Sequence, residues 1–497
     1  MFSAFINSFK IPELRQRIIF TLALLVIVRL GAAIPCPGIN AAVLQEYFRV
    51  TIEQSNQGNI LGLFNLFSGG ALQNCAVFSL TIMPYISASI IMQLATGAIP
   101  SLSKLSREEG GRQKINQYTR IGTLGLCLFQ GYLLAVNFEN PENWNVFPNI
   151  GQVTDVMGPL VPDPGLLFRI TTVVTLTAGT MMLMWLGEQI TDKGIGNGIS
   201  LIITVGIVAQ LPTGITAGWK VFSAPDATAP EIKVVLLLLF LFIVVASTVA
   251  ITQALRKIPV QYARQVRGNK VYGGQTSYLP LKVNYAGVMP IIFANAVLLF
   301  PGTIIQLLFP DSDTASRIVS YLNPGGALYY SVTGLTIFFF SYFWVAMMFN
   351  PTQISDDMKR NGGFIPGVRP GDPTAKFLDF TMTRLTFFGA VFLAGLAILP
   401  MFVSERLGIP YLTAQFFGGT SLLIIVGVIL DTMRQTETYL LQRHYDGFLK
   451  KGRIRGRSGA GAGASAGASV PETRIIWLIV AVAVLALGGI IASAIRA

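Results

Sequence analysis

From Val234 to Ile251 the chain runs without a single charged side chain and is almost wholly apolar. No other feature limits its fold so strongly. A bilayer core of roughly 30 Å is crossed by about 20 apolar residues in a helix. In lipid every backbone polar group must be paired within its own segment, so such a run is a helix. Ile18–Ile34 (interrupted by Arg29), Gly334–Phe349 and Phe387–Val403 repeat the pattern. A porin-like barrel needs alternating strands of about ten residues, and these runs do not alternate.

Composition agrees. The 497 residues are 52% hydrophobic and 12% charged, against about 25% charged in soluble domains. The expected spans are ten: about 18–35, 75–97, 119–136, 169–186, a short one at 197–211, 232–253, 286–308, 328–349, 382–403 and 415–434. A half-helix at about 60–71 precedes the second. The net charge of +12 could suggest nucleic acid, but its placement argues for topology. Lys10, Arg15 and Arg17, then Lys104–Lys114, Arg256–Lys282, Lys359–Lys376 and Arg443–Arg457 fall in alternate loops. The 3–4 loop carries Glu139, Glu142, Asp155 and Asp163 and no basic residue before Arg169. The positive-inside rule makes the basic set cytoplasmic. That pattern is self-consistent for ten spans of a cytoplasmic (inner) membrane, with both ends of the core on the cytoplasmic side. The first helix reads as uncleaved, because Arg29 interrupts it and Pro35 suits a cleavage site poorly.

Catalytic signals are sparse. Cys36, Cys75 and Cys127 have no Cys-x-x-Cys spacing and His444 stands alone, so neither a metal site nor a cofactor is expected. The sequence contains no His-Glu-x-x-His pair and no nucleophile–His set. Gly194-Ile195-Gly196-Asn197-Gly198 lacks the Gly-Lys-Ser/Thr ending of a phosphate loop. Its glycines instead suit a tight re-entry into the fifth helix. Arg29 and Asp431 are isolated charges near span ends, read as snorkelling or paired groups. More informative is Asn65-Leu66-Phe67-Ser68-Gly69-Gly70-Ala71, too short and too glycine-rich to span. Irregular backbone at membrane depth must be buried in protein or line a cavity. Pro84 is expected to bend the span that follows.

Seven blocks, in order, resemble the SecY family, the pore subunits of protein-conducting Sec channels. They are Ile34-Pro35-Cys36-Pro37-Gly38-Ile39, Phe64–Leu72, Ile82–Ile91, Trp185–Ser200, Leu279–Asn284, Pro366–Gly371 and Phe417–Ile424. The resemblance runs from about residue 13 to 457. It implies an all-α polytopic membrane protein: a ten-helix channel of two pseudo-symmetric five-helix halves, about 1–215 and 230–440. Residues 61–72 would be the plug of its outer funnel, with Phe64, Asn65, Phe67, Ser68, Gly69 and Gly70 as its core. A pore ring would comprise Ile82, Ile86, Ile199, Ile203, Ile292 and Ile424. Two of its pairs are spaced i, i+4 and so share a helical face. Aliphatic side chains cannot solvate an ion. Helices two–three and seven–eight would form a lateral gate, with Ser87, Gln93 and Asn295 as polar members. Arg264, Arg267 and Lys270 of the 6–7 loop and Arg369 of the 8–9 loop would dock the SecA motor or the ribosome, where contact with ribosomal RNA would gain from phosphate pairing. The same resemblance implies small SecE- and SecG-type membrane subunits, secretory and membrane-protein chains, and surrounding lipid as partners. The competing expectation is a secondary transporter with inverted repeats, which would need a polar midplane site.

The resemblance ends near Arg457. Residues 458–470 read as a Gly/Ala/Ser linker. Residues 471–497 hold an eleventh apolar segment, long enough to span and to place the C-terminus outside. It would suit a fused single-span accessory subunit or a lineage-specific anchor.

Overall fold

The computed structural model describes residues 11–452 except 55–59, 109, 142–146, 148–149, 224–229, 263–264, 268–269, 273–275, 295–296, 299–326 and 410. The linker, the eleventh segment and the rest of the seventh expected span lie outside these residues. Residues up to Leu440 form one compact unit, and a second begins at Leu441.

The helices are α1 (Pro12–Gly31), α2 (Ala41–Gln54), α3 (Ile60–Ser68), α4 (Met83–Ala98), α5 (Pro100–Arg107), α6 (Gly111–Glu139), α7 (Gly151–Met157), α8 (Leu166–Lys193), α9 (Gly198–Phe222) and α10 (Pro230–Gln253). After the strands come α11 (Ala327–Met348), α12 (Pro351–Arg360), α13 (Asp372–Leu407), α14 (Tyr411–Gly418) and α15 (Thr420–Gly452). Residues 289–294 and 297–298 are also helical. Among the described residues six helices are long and apolar enough to cross a membrane: α6, α8, α9, α10, α11 and α13. A bent pair, Met83–Gly97 with Pro100–Ser106, turns by 104° at its break. On α10, Val235, Leu239 and Phe242 are more than half exposed. Apolar surface on that scale is stable only where the surroundings are not water.

Several expectations need correction. The second span does not begin at 75, because residues 69–82 are turns and α4 starts at Met83. Pro84 therefore sits in the first helical turn, where its missing N–H costs nothing, and starts the helix instead of bending it. The fifth helix is not short: α9 runs 25 residues and passes through Pro212. Its packing outweighs the proline, with Gly214 close against Phe416 of α14. The tenth expected span is split at Gly419 into α14 and α15.

Five strands were not expected. β1 (Leu255–Tyr262) pairs antiparallel with β4 (Thr276–Lys282), and β2 (Gln265–Arg267) with β3 (Lys270–Tyr272), within the 6–7 loop. β5 (Gly363–Phe364), from the 8–9 loop, adds to the other edge of β1 with Gln261 opposite Phe364. The main core gathers side chains of α1, α3, α4, α8, α9, α11, α13 and α15. A second cluster sets Leu44, Tyr47 and Phe48 of α2 against Leu72, Phe138 and Phe147.

Candidate functional site

The site is built on the turn that follows α3. Gly69 and Gly70 have positive φ, +64° and +86°, which glycine adopts without a Cβ penalty. They close the helix as Gly69 N–H reaches the Leu66 carbonyl and Gly70 N–H that of Asn65. Asn65 is buried and accepts from Gln73 N–H at 3.0 Å through its side-chain oxygen. Ser68 donates to the Asn65 carbonyl at 2.9 Å and accepts from Leu72 N–H at 3.3 Å. Ser79 donates to the Ala71 carbonyl at 3.0 Å. The sequence block Asn65–Ala71 is thus a hydrogen-bonded knot, tied within itself and to Leu72, Gln73 and Ser79, as buried backbone requires. A Cβ on Gly69 would stand 2.6 Å from Gly206 Cα, so α3 seats on α9 through two glycines.

Beneath the knot lies a cavity of about 60 Å³. Five of the six expected ring isoleucines line it: Ile82, Ile86, Ile203, Ile292 and Ile424. They come from four stretches of chain far apart in sequence. Ile82 is the residue before α4, but its carbonyl accepts Ile86 N–H at 3.1 Å, so the pair keeps its shared face. Ile199 is not on the cavity wall. It packs at the α8–α9 contact, 3.3 Å from where a Gly187 Cβ would be. Phe64, Phe67 and Ser68 of α3 close the other side. Polar groups on the wall are few, among them Arg29, Ser68, Thr81 and Tyr329. Sequence reading missed Arg29, Leu183 and Tyr329 here. Only the charge of Arg29 stood out in the sequence.

The expected gate is partly visible. Ser87 is buried on α4. Gln93 donates to Ser89 at 3.4 Å, while its side-chain oxygen is buried with no hydrogen-bond partner among the described residues. Gly97 at the end of α4 faces Met347 of α11, whose sulfur would lie 3.0 Å from an added Cβ. Phe293 packs edge-on against Phe340 and Trp344 of α11, ring centres 5.9 and 5.1 Å apart. Asn295 lies outside the described residues. In the loops, Arg267 is paired in register with Lys270 across β2 and β3, and Arg264 lies outside the described residues. Arg369 is exposed. Its carbonyl accepts from Thr374 at 2.8 Å, and Ser355 donates to the Gly371 carbonyl at 2.6 Å, which fixes the turn that presents it.

The profile of the SecY family matches residues 76–433, through α4 to α15. The chain belongs to the SecY family. SecY translocase subunits bear this out: that of Chlamydia muridarum is 46% identical over 455 residues, covering 90% of this chain and 98% of the relative. Those of Thermus thermophilus and Escherichia coli K12 are each 43% identical, covering 92% and 89% of this chain and 100% and 96% of theirs. Among solved structures, a protein-conducting channel aligns with a TM-score of 0.56 at 17% identity, covering 85% of this chain and 91% of that one. Sec61 in a canine ribosome–channel complex aligns at 0.54, also at 17% identity, over 85% of this chain and 91% of its own. These two show a shared fold. The SecY fold thus accounts for the mostly helical, multi-pass architecture of a bacterial membrane protein.

Proposed function

We propose that this chain is the central pore-forming subunit of a bacterial protein translocase, which passes unfolded secretory chains across the membrane and releases membrane-protein helices sideways into lipid. The observation that carries this reading is the cavity where isoleucines from four separated stretches meet under a glycine-closed half-helix. The branched aliphatic side chains of the ring offer an ion no ligand, so a constriction formed by them resists water and ions. It can still widen around a polypeptide without binding it. An inverted-repeat transporter would place polar ligands at that level, and the apolar lining supports the channel.

In this reading α3 is the plug, α4 and residues 289–294 border the lateral gate with α6 and α11, and the two five-helix halves are joined near residues 215–230. The basic loops face the cytoplasm, and the loop pair carrying Arg264, Arg267, Lys270 and Arg369 receives a motor ATPase or the ribosome. Small SecE- and SecG-type subunits would complete the complex. The channel itself makes and breaks no bond, and the driving force comes from the partner.

The test is ion leak. Replacing Ile82, Ile86 and Ile203 together with Ser hydrates the constriction, and proteoliposomes of the complex should then leak ions at rest. Unchanged conductance would refute the ring. A stalled secretory chain should also crosslink to cysteines placed at Ile86 and Ile424.

A further inference from the structure

We propose that Arg29 is a latch that holds the plug helix in its seat by capping that helix's C-terminal end. This rests on reading α3 as the plug. The last carbonyls of a helix have no intrahelical partners and carry partial negative charge. At the end of α3, Gly69 and Gly70 satisfy two of them, those of Leu66 and Asn65. The Ser68 carbonyl accepts Ala71 N–H at 3.4 Å, and the carbonyl of Gly69, the first residue past α3, accepts Arg29 Nη1 at 3.0 Å. Forty residues separate the two groups, so the contact ties the plug to α1.

Glycine leaves the guanidinium room to approach. A Cβ on Gly69 would lie 2.5 Å from Arg29 Nη1. The guanidinium is half-buried on the wall of the apolar cavity and is not in any ion pair formed among the described residues. A cation placed there without an acidic partner is held by the helix end it faces.

The same placement makes the latch reversible. With the plug seated, the bond lies in a water-poor setting and is strong. When a passing chain lifts the plug, water enters the vestibule and solvates the guanidinium. The charge is then never buried without a partner, and the barrier to opening stays modest.

The experiment measures resting ion leak in proteoliposomes of the complete complex. It compares Arg29→Gln, Arg29→Met and Arg29→Lys, each with the plug intact and with residues 60–70 deleted. With the plug intact, the Gln and Met variants should raise the leak about tenfold, the ratio a charge-assisted hydrogen bond supports. Lys, which keeps the charge, should stay near the parent. In the plugless background none should add to the leak already present. Met packs well in an apolar wall, so it reports even if Gln assembles poorly. If deletion raises the leak but Gln and Met do not, the latch is wrong and the plug stands. Equal rises in both backgrounds would mean that Arg29 only supports the fold, which also overturns the latch. If deletion itself leaves the leak unchanged, the plug reading fails and the latch fails with it.

Discussion

Gly196 donates its backbone N–H to Oε1 of Gln435 across 3.0 Å, joining the turn before α9 to α15. The neighbouring Ile195 N–H reaches Thr21 Oγ1 of α1 at 3.1 Å. Gly196 needs its positive φ of +89° to make the turn, and Asn197 then caps α9 through Ile199 and Ser200 N–H. The glycine-rich block that superficially resembles a phosphate loop is therefore a three-way joint between α1, α9 and α15.

Gln435→Ala removes one partner of that joint and leaves the N–H of Gly196, a buried residue, without its acceptor. The expected cost is about 1 kcal/mol, with faster amide exchange confined to residues 195–197. Hydrogen exchange of the complex in nanodiscs checks this. Exchange unchanged at those amides would show that the joint does not depend on Gln435.

Arg369 is exposed on a turn pinned by Thr374 and Ser355. Arg369→Glu should slow partner-driven translocation about tenfold, since charge reversal at a docking rim acts on association and its salt dependence. Resting ion leak should not change, because the residue does not line the cavity. A normal translocation rate at low salt would refute the docking role.

Cys36 is 3% exposed, and burial pushes its thiol up to about 11. Its backbone N–H donates to the Cys75 carbonyl at 2.7 Å, which keeps the loop shut. Because the thiolate is the nucleophile, maleimide should label Cys36 very slowly at pH 8 in the folded complex and at ordinary thiol rates after unfolding. The sign of the linkage follows. A folded-state value above the unfolded one favours the neutral thiol, so its contribution to stability is complete below the unfolded value and is lost as pH rises toward about 11. Rapid labelling of the folded complex at pH 8 would contradict the burial.

What the sequence showed depended on how local the signal was. α10 falls within two residues of its expected bounds because its apolar run is bounded by charge and glutamine. The block Asn65–Ala71 was legible as a break between helices because it is short and rich in glycine, and the positive φ of Gly69 and Gly70 is where α3 ends. The onset of α4 was misplaced because residues 75–82 are as apolar as the helix they precede. There the backbone is held by Ser79 and Thr81 in turns, with Thr81 at φ +56°. The span expected at 197–211 ends one residue before Pro212, whereas α9 continues to Phe222 with Gly214 close against Phe416. α2 and the 6–7 loop strands have no long apolar run to announce them, and α2 is ordered by contacts distant in sequence, with Leu72, Phe138 and Phe147. Arg29 was visible as an anomaly, but its partner is a backbone carbonyl, which no side-chain pattern reveals.

The pairing of β5 with β1 has a mechanical consequence. Gln261 sits opposite Phe364 and Tyr262 opposite Gly363, so two loops that leave the membrane between different helices share one ladder. A load applied to the hairpin is carried through hydrogen bonds into the strand just ahead of Arg369 and toward the N-terminus of α13. Whatever grips one loop strains both, and the sheet behaves as a crossbar braced between α10 and α13. A motor pushing at its tip would work against two helices at once.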